Sequence, residues 1–475
     1  MVATDSTVRI RGEAPPASPA ARVGWLLPPF VLMLYAVKPL GPIKDPDAYW
    51  HVVAGDHLLK TGQFVLADPF GAATERMWIL NQWLPEVLMH WAHAAYGLPG
   101  IAFLLCAGSL LVGLSVYASC RCRADSLPTA LVLVLVFVAL SGSLSPRPQL
   151  ATFALTALTV GAWLRTREDG RARWWLVPVT WLWACSHGMW FMGPVLGGVA
   201  LVGMVFDRRV SLGSAVRLSL VPVLSVAAAA VTPVGPRLFL SPFQVGSVTA
   251  YISEWQRPSL GEPAVLAALG LFIIVGVNLA RRRSAEWTTV LLAVVGLGLT
   301  LTWARTVGLG AVVVAPMAAA ALQKWTRRPM SPPFTRERVG VAVVGILSLV
   351  TVGVAAPAVA ASPAIGPTAL EGALSALPQG TVVCNDQSDG GWLMLRHPNL
   401  RPTMDTRVEL YSVEHIKAYS GFMSGTHGWE DYATRVGCAY AVLPTKATVV
   451  PLLKASSHWA MVQEAGGYVL LRPSP

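Results

Sequence analysis

The chain has 475 residues, of which 54% are hydrophobic and only 13% charged, about half the charged share of a water-soluble globular protein. That balance excludes a soluble enzyme, a disordered chain and a disulfide-built miniprotein, and predicts a polytopic α-helical membrane protein. The net charge of +11 raises nucleic acid as a partner, so its placement along the chain matters.

Residues 1–21 are rich in Ala, Pro and Arg and lack an apolar core, the composition of a disordered cytoplasmic tail. A transmembrane domain is expected over 22–361, with about eleven transmembrane helices near 22–38, 98–119, 127–144, 149–164, 174–186, 189–206, 218–233, 262–280, 287–303, 306–322 and 339–361. With the N-terminus cytoplasmic, the inner segments hold 20 basic residues against 8 acidic ones. The outer segments are near neutral, so the whole surplus is a positive-inside signature and nucleic acid drops out. The expected place is the cell inner (plasma) membrane, multi-pass, with membrane lipids as surroundings.

The first outer loop, 39–97, is long for a bundle with otherwise short connections, which marks it as a functional candidate. It opens KDPDAYWHVV. Asp45-Pro46-Asp47 reads as helix initiation, with Asp45 capping, Pro46 at the first position and Asp47 favoured by the helix dipole. The same residues also place a carboxylate at the membrane surface, where it could act as general base for a hydroxyl. The two readings are compatible. Further on, Leu84, Val87, Leu88, Trp91 and Ala95 recur at helical spacing and predict an amphipathic interfacial helix. Glu86, His90 and His93 fall on its more polar face, read as a solvated or headgroup-facing strip, with metal ligation the alternative.

Four short polar insertions follow at outer span ends: SPRPQ (145–149), CSHGMW (185–190), ISEWQRP (252–258) and WARTVGL (303–309). Together they bring Arg147, His187, Glu254, Arg257 and Arg305, a set suited to a phosphate headgroup. All nine histidines also fall on the outer side. Ionisable groups near a membrane usually face a cavity or pathway, and one-sided clustering points to a reaction centre open to the outside rather than to a transporter. No P-loop, GxGxxG, HExxH or GxSxG site is present.

From 362 to 475 the hydropathy falls, and a small extracytoplasmic α/β domain is expected, with VVCND, CAYAVLP and GYVLLR as buried strands. Cys384 and Cys438 are the one cysteine pair there; whether they join stays open, because sequence does not supply their separation.

A long first outer loop opening DPD-aromatic-W-H, then an interfacial helix after NQWLPE, resembles the GT-C superfamily of integral-membrane glycosyltransferases. It resembles more closely the uncharacterised bacterial polytopic membrane proteins related to them. The likeness continues in order through RPQ (147–149), His187-Gly188, EWQRP (254–258), Arg305 with Ala315-Pro316, NDQSDGGWL (385–393) and DTRVELY (405–411). It implies a GT-C-like fold and transfer of a sugar from a polyprenyl-phosphate donor to a glycan, lipid or protein acceptor on the extracytoplasmic face. By that likeness Asp47 or Asp45 deprotonates the acceptor, while Glu86 and His187 orient it. Arg147, Arg257 and Arg305 offset charge on the departing phosphate beside Glu254, and Trp50, Trp83 and Trp190 are candidates to stack on sugar rings. No second acidic motif accompanies Asp45-Pro46-Asp47, so a divalent cation (Mg or Mn) there stays open. Competing classes are a polysaccharide polymerase or ligase using lipid-linked oligosaccharide, a transporter, and a non-catalytic cell-envelope scaffold.

Overall fold

A computed structural model describes residues 24–282, 286–331, 333–426 and 428–474. The 1–21 tail, Arg283 and His427 lie outside the described residues. A helix stands in each of the expected apolar segments. Six of them, Leu98–Arg121, Gly188–Phe206, Leu212–Ala230, Pro263–Ala280, Ala304–Trp325 and Thr335–Val359, are long and apolar enough to cross a membrane. Gly24–Val37, Ser126–Leu140 and Trp287–Thr302 are apolar but shorter.

The helix Val307–Trp325 occupies the centre of the bundle, buried along nearly its whole length. Its run of Gly and Ala lets five other helices approach closely, which is how helices associate where lipid supplies no hydrophobic drive. Thr335–Val359 lies at the rim instead. It turns Val339, Val343, Ile346, Leu347, Val350 and Val354 outward, a stripe that only lipid would satisfy.

At one end of the bundle the basic residues are pinned by acids. Arg121 grips Glu337 with Nε and Nη2, at 2.7 and 2.9 Å, and Tyr117 donates to the same carboxylate. Asp207 pairs with Arg167 and accepts the first backbone N–H groups of the helix Trp287–Thr302, capping it from another element.

At the other end stand the first loop and the C-terminal unit. The first loop forms the helix Asp47–Thr61, two short antiparallel strands, β1 (Val65–Leu66) and β2 (Trp78–Ile79), and the helix Trp83–Tyr96. The C-terminal unit has five strands, β3 (Thr381–Asn385), β4 (Leu400–Pro402), β5 (Tyr440–Pro444), β6 (Trp459–Ala465) and β7 (Tyr468–Pro473), in spatial order β4-β3-β5-β7-β6. β3 runs parallel to β4 and β5, while β7 is antiparallel to β5 and β6. Cys384 and Cys438 are disulfide-bonded, with Cα atoms 5.7 Å apart.

The two pieces share one core. Trp50, Val53, Leu58, Leu66, Trp78 and Leu80 pack with Met404, Leu410, Tyr411 and Phe422. The loop is therefore part of the same packed body as residues 362–474, rather than an appendage of the helices before and after it. Arg407 ties the two together, pairing with Asp68 of the loop and with Asp405, all three side chains fully buried.

The interfacial helix requires a correction. Its polar strip does not face solvent or headgroups. Glu86 is buried against the helix Asp47–Thr61, and His90 and His93 are half-buried. Leu88, Trp91 and Tyr96 are the large exposed residues, beside Ala94 and Ala95, so the apolar face is offered to lipid and the polar face to the protein.

Asp389, which precedes the helix Gly390–Arg396, is buried and pushed up to about 7, first by that burial and then by the charge of Asp386. Among the described residues only Tyr468 donates to it, and Oδ2 has no partner. A carboxyl raised in the folded state contributes its full stability below about pH 4, and loses it as pH rises through the folded value. Asp389→Asn keeps an acceptor for Tyr468 and removes that penalty. It should raise the stability at pH 8 by an amount on the order of a few kcal/mol, seen as a higher melting temperature, and leave both unchanged at pH 4. Thermal unfolding at the two pH values checks this, and an equal shift at both would reject a titrating Asp389.

Candidate functional site

Four separated segments meet where the first loop touches the bundle. Pro46, not Asp45, holds the N-cap position of the helix Asp47–Thr61 and supplies no side-chain cap; Asp45 Oδ1 instead accepts from the Asp47 amide at 3.0 Å, bracing the turn just ahead of the helix. Arg147 lies between Pro146 and Pro148, which restrict its backbone. Gln149 ties the same turn through Ser143 O at 2.8 Å. Glu254 comes from the short turn Ser253–Trp255. That turn is held against Ala304 by the bond from Ala304 N to Gln256 O at 2.9 Å, which brings Arg305 to Glu254.

Arg147 is the hub. Its Nε lies 2.6 Å from Asp45 Oδ2 and 3.2 Å from Asp47 Oδ2. Its Nη1 donates to both oxygens of Glu254, at 2.8 and 3.0 Å. Arg305 Nη1 donates to Glu254 Oε2 at 2.6 Å. Burial alone would lower the affinity of the Arg147 guanidinium for its proton; the charges of Asp47, Asp45 and Glu254 outweigh that and raise it. Trp50 completes the array, its ring N–H lying 3.2 Å from Asp47 Oδ1 and 3.0 Å from Thr406 Oγ1 of the C-terminal unit.

His187 stands behind this network. Its Nδ1 lies 2.9 Å from the Thr152 hydroxyl and receives the Met189 amide. Thr152 itself accepts from the Trp183 ring N–H at 2.8 Å, so its own proton is free to point at His187. Nδ1 is then the acceptor and Nε2 carries the proton. Burial, followed by the charges of Arg305, His51 and Arg147, pushes His187 down to about 3. It is a neutral donor at any physiological pH.

Of the residues expected from sequence, Asp45, Asp47, Arg147, Glu254, Arg305 and Trp50 join in one bonded network, with His187 close to it. Glu86 is one helix away, on His51. Trp83 packs edge-to-face on Phe64 at 5.8 Å, and Trp190 is buried against Phe239. Trp190 is a core residue, and Trp83 is half-buried against the core. Arg257 is exposed and makes no ion pair among the described residues. Two charged residues near the network, though not bonded to it, were not singled out by sequence reasoning. His51 pairs with Glu86, and Glu409 is pushed up to about 7 by burial and then by the charges of Asp405 and Asp47, against the pull of Arg407. The signal for His51 was present in DPDAYWH, one helical turn beyond Asp47.

The helix Gly390–Arg396 of the C-terminal unit abuts the start of Asp47–Thr61. A side chain at Gly391 would place its Cβ 2.7 Å from Pro46 O and 3.3 Å from Trp50 N. The glycine pair before Trp392 is thus a close-approach device that seats the C-terminal unit on the aspartate turn.

Three solved structures are similar to the chain. The crystal structure of ArnT from Cupriavidus metallidurans in the apo state is 15% identical with a TM-score of 0.48, covering 95% of this chain and 98% of that one. ArnT from the same organism bound to undecaprenyl phosphate is 13% identical with a TM-score of 0.46, covering 96% and 98%. The cryo-EM structure of the arabinofuranosyltransferase AftD from Mycobacteria is 14% identical with a TM-score of 0.47; the match covers 95% of this chain and 41% of that one. No protein-family model matches the chain, and no curated protein matches its sequence.

Proposed function

We propose that the chain is a GT-C-type membrane glycosyltransferase that moves a sugar from a polyprenyl-phosphate donor to a glycan, lipid or protein acceptor. Its reaction centre is the Asp45–Asp47–Arg147–Glu254–Arg305 network, on the extracytoplasmic face. The observation that carries this reading is the convergence of three carboxylates and two guanidiniums from four segments at one end of an apolar bundle. A reaction on a lipid-borne phosphate needs such a place, with charge at the membrane edge and access from the lipid.

In this reading Asp47 takes the acceptor's proton, while Arg147 and Arg305 stabilise charge on the departing phosphate. Both guanidiniums already hold Glu254, whose carboxylate bridges them as an anionic phosphate would. Glu254 is the most exposed of the three acids, at 38%, and is the group a phosphate would displace. A divalent cation on Asp45 and Asp47 does not fit this arrangement, because Arg147 Nε already contacts both carboxylates. Among the described residues no group of three or more His, Cys, Asp or Glu could hold a metal ion. No step is therefore routed through a metal.

The test is donor turnover. Purified protein in lipid is offered a panel of polyprenyl-phosphate sugars, and released polyprenyl phosphate is measured for the wild type and Asp47→Asn. Release that falls by about 10²-fold or more in the variant is expected of a lost general base. Unchanged release with a stability loss of about 0.5–2 kcal/mol would leave Asp47 only a place in the helix start. A folded wild type that releases nothing from any donor would favour a polymerase or ligase acting on lipid-linked oligosaccharide, or a scaffold.

A further inference from the structure

The helices Asp47–Thr61 and Trp83–Tyr96 touch at Gly55, where any side chain would collide with the backbone of Glu86. This contact delivers the Glu86 carboxylate to His51, with Oε1 3.2 Å from Nδ1 and both side chains 2% exposed. Glu86 Oε2 is buried with no partner among the described residues. An acid kept so far from water, with one imidazole as its company, is an expensive choice for packing alone.

The histidine is placed for chemistry. His51 follows Asp47 by four residues, so the two share a helix face one turn apart. The Trp50 ring lies against it, with centroids 3.7 Å apart. Nδ1 faces a carboxylate and therefore carries the proton, which leaves the lone pair on Nε2. Nε2 makes no hydrogen bond among the described residues. His187, within electrostatic reach of His51, Arg147 and Arg305, has the opposite tautomer and offers a proton on Nε2. One imidazole is thus set to accept and the other to donate.

We infer that His51, backed by Glu86, is the proton sink of the transfer site, receiving on Nε2 the proton that leaves the acceptor hydroxyl by way of Asp47. The inference rests on the glycosyl-transfer reading above. In balance, the acceptor O–H bond breaks and its electron pair forms the new bond to the sugar. The bond from sugar to phosphate breaks, and polyprenyl phosphate departs with that pair. The proton passes through Asp47 to His51, whose imidazolium is neutralised by Glu86, and leaves to water after the product. The second transfer has a purpose. A protonated Asp47 no longer answers Arg147, and handing the proton one turn along the helix restores that ion pair. Among the described residues Glu86 on the facing helix is the acid paired with His51, Asp47 lies one turn away on its own helix, and Arg147 and Arg305 act together with His51 on His187.

The test uses the full-length protein in lipid with the donor that the wild type turns over. His51→Gln should lower kcat by about 10²-fold with KM for the donor unchanged, and should abolish the acid limb of the kcat–pH profile. His51→Ala should recover activity in proportion to added imidazole. Glu86→Gln should keep His51 but lower kcat, because Nδ1 loses the carboxylate that holds its proton and turns Nε2 into the acceptor. Wild-type kcat and an unshifted pH profile in folded His51→Gln would overturn the inference. So would a loss of activity that imidazole never restores and that tracks the loss of folded protein. A wild type without turnover of any donor is a different result, and overturns the glycosyl-transfer reading itself.

Discussion

Arg407→Ala should lower stability by about 3–5 kcal/mol, the cost of removing one partner from a buried ion network. Its guanidinium donates to Asp68 at 3.0 and 3.1 Å and to Asp405 at 3.0 and 2.8 Å, and it lies 4.4 Å from the centroid of the Trp78 ring. Tyr411 donates to Asp405 Oδ2 at 2.8 Å. Alanine would leave two buried carboxylates facing each other. The pH dependence separates charge from packing. Burial alone would raise Asp68, but the Arg407 charge and hydrogen bonds, with the amides of Gly71 and Phe70, hold it below the usual carboxylate range. A depressed carboxylate contributes stability above its unfolded value, and that contribution is lost as pH falls through the folded value. Without Arg407 the Asp68 carboxyl shifts upward, so the deficit of the variant should be largest near pH 8 and shrink below about pH 4. Thermal unfolding across that range checks it. A deficit constant with pH would mean that contact with Trp78, rather than charge, holds the junction. Arg407→Lys should rescue little, since an ammonium cannot fork to two carboxylates.

The membrane character was readable because hydropathy over some 20 residues is a local property of the chain. The gathering of Asp45, Asp47, Arg147, Glu254 and Arg305 was also within reach. Polar groups at span ends on one side of a bilayer have few partners except one another, so their one-sidedness stood in for a contact map. Arg257 shows where that argument stops. It belongs to the same insertion as Glu254, yet the turn Ser253–Trp255 directs one residue inward and leaves the other exposed. The polar strip of Trp83–Tyr96 was misread for a related reason. Amphipathicity says that a helix has two faces, and only tertiary packing says which one lipid takes. The Arg407–Asp68 pair and the shared core of loop and C-terminal unit join residues more than 300 positions apart with no periodicity to announce them. The His51–Glu86 pair depends on a helix contact that one glycine permits.

Arg147→Gln should be the most damaging single change to activity, lowering it by at least about 10²–10³-fold, the cost of removing a charge-stabilising donor from a reaction centre. Arg147 is the one side chain that touches all three carboxylates of the site, and it is the cation between the first-loop aspartates and the outer turn. Its loss would leave Asp45 and Asp47 as like charges two residues apart and Glu254 with Arg305 alone. On the glycosyl-transfer reading proposed above, the acceptor would then lose its positioned base and the phosphate its counter-charge. Arg147→Lys keeps the charge but cannot reach Asp45 and Glu254 together, so it should recover less than a tenth of the lost activity. Asp45→Asn combined with Arg147→Gln relieves the repulsion. It should restore thermal stability toward that of the wild type without restoring turnover, and such a split between melting temperature and donor release would separate the two roles of the hub. If the double variant recovered activity along with stability, Arg147 would only be holding the helix start in place, and the phosphate would have to be met by Arg305.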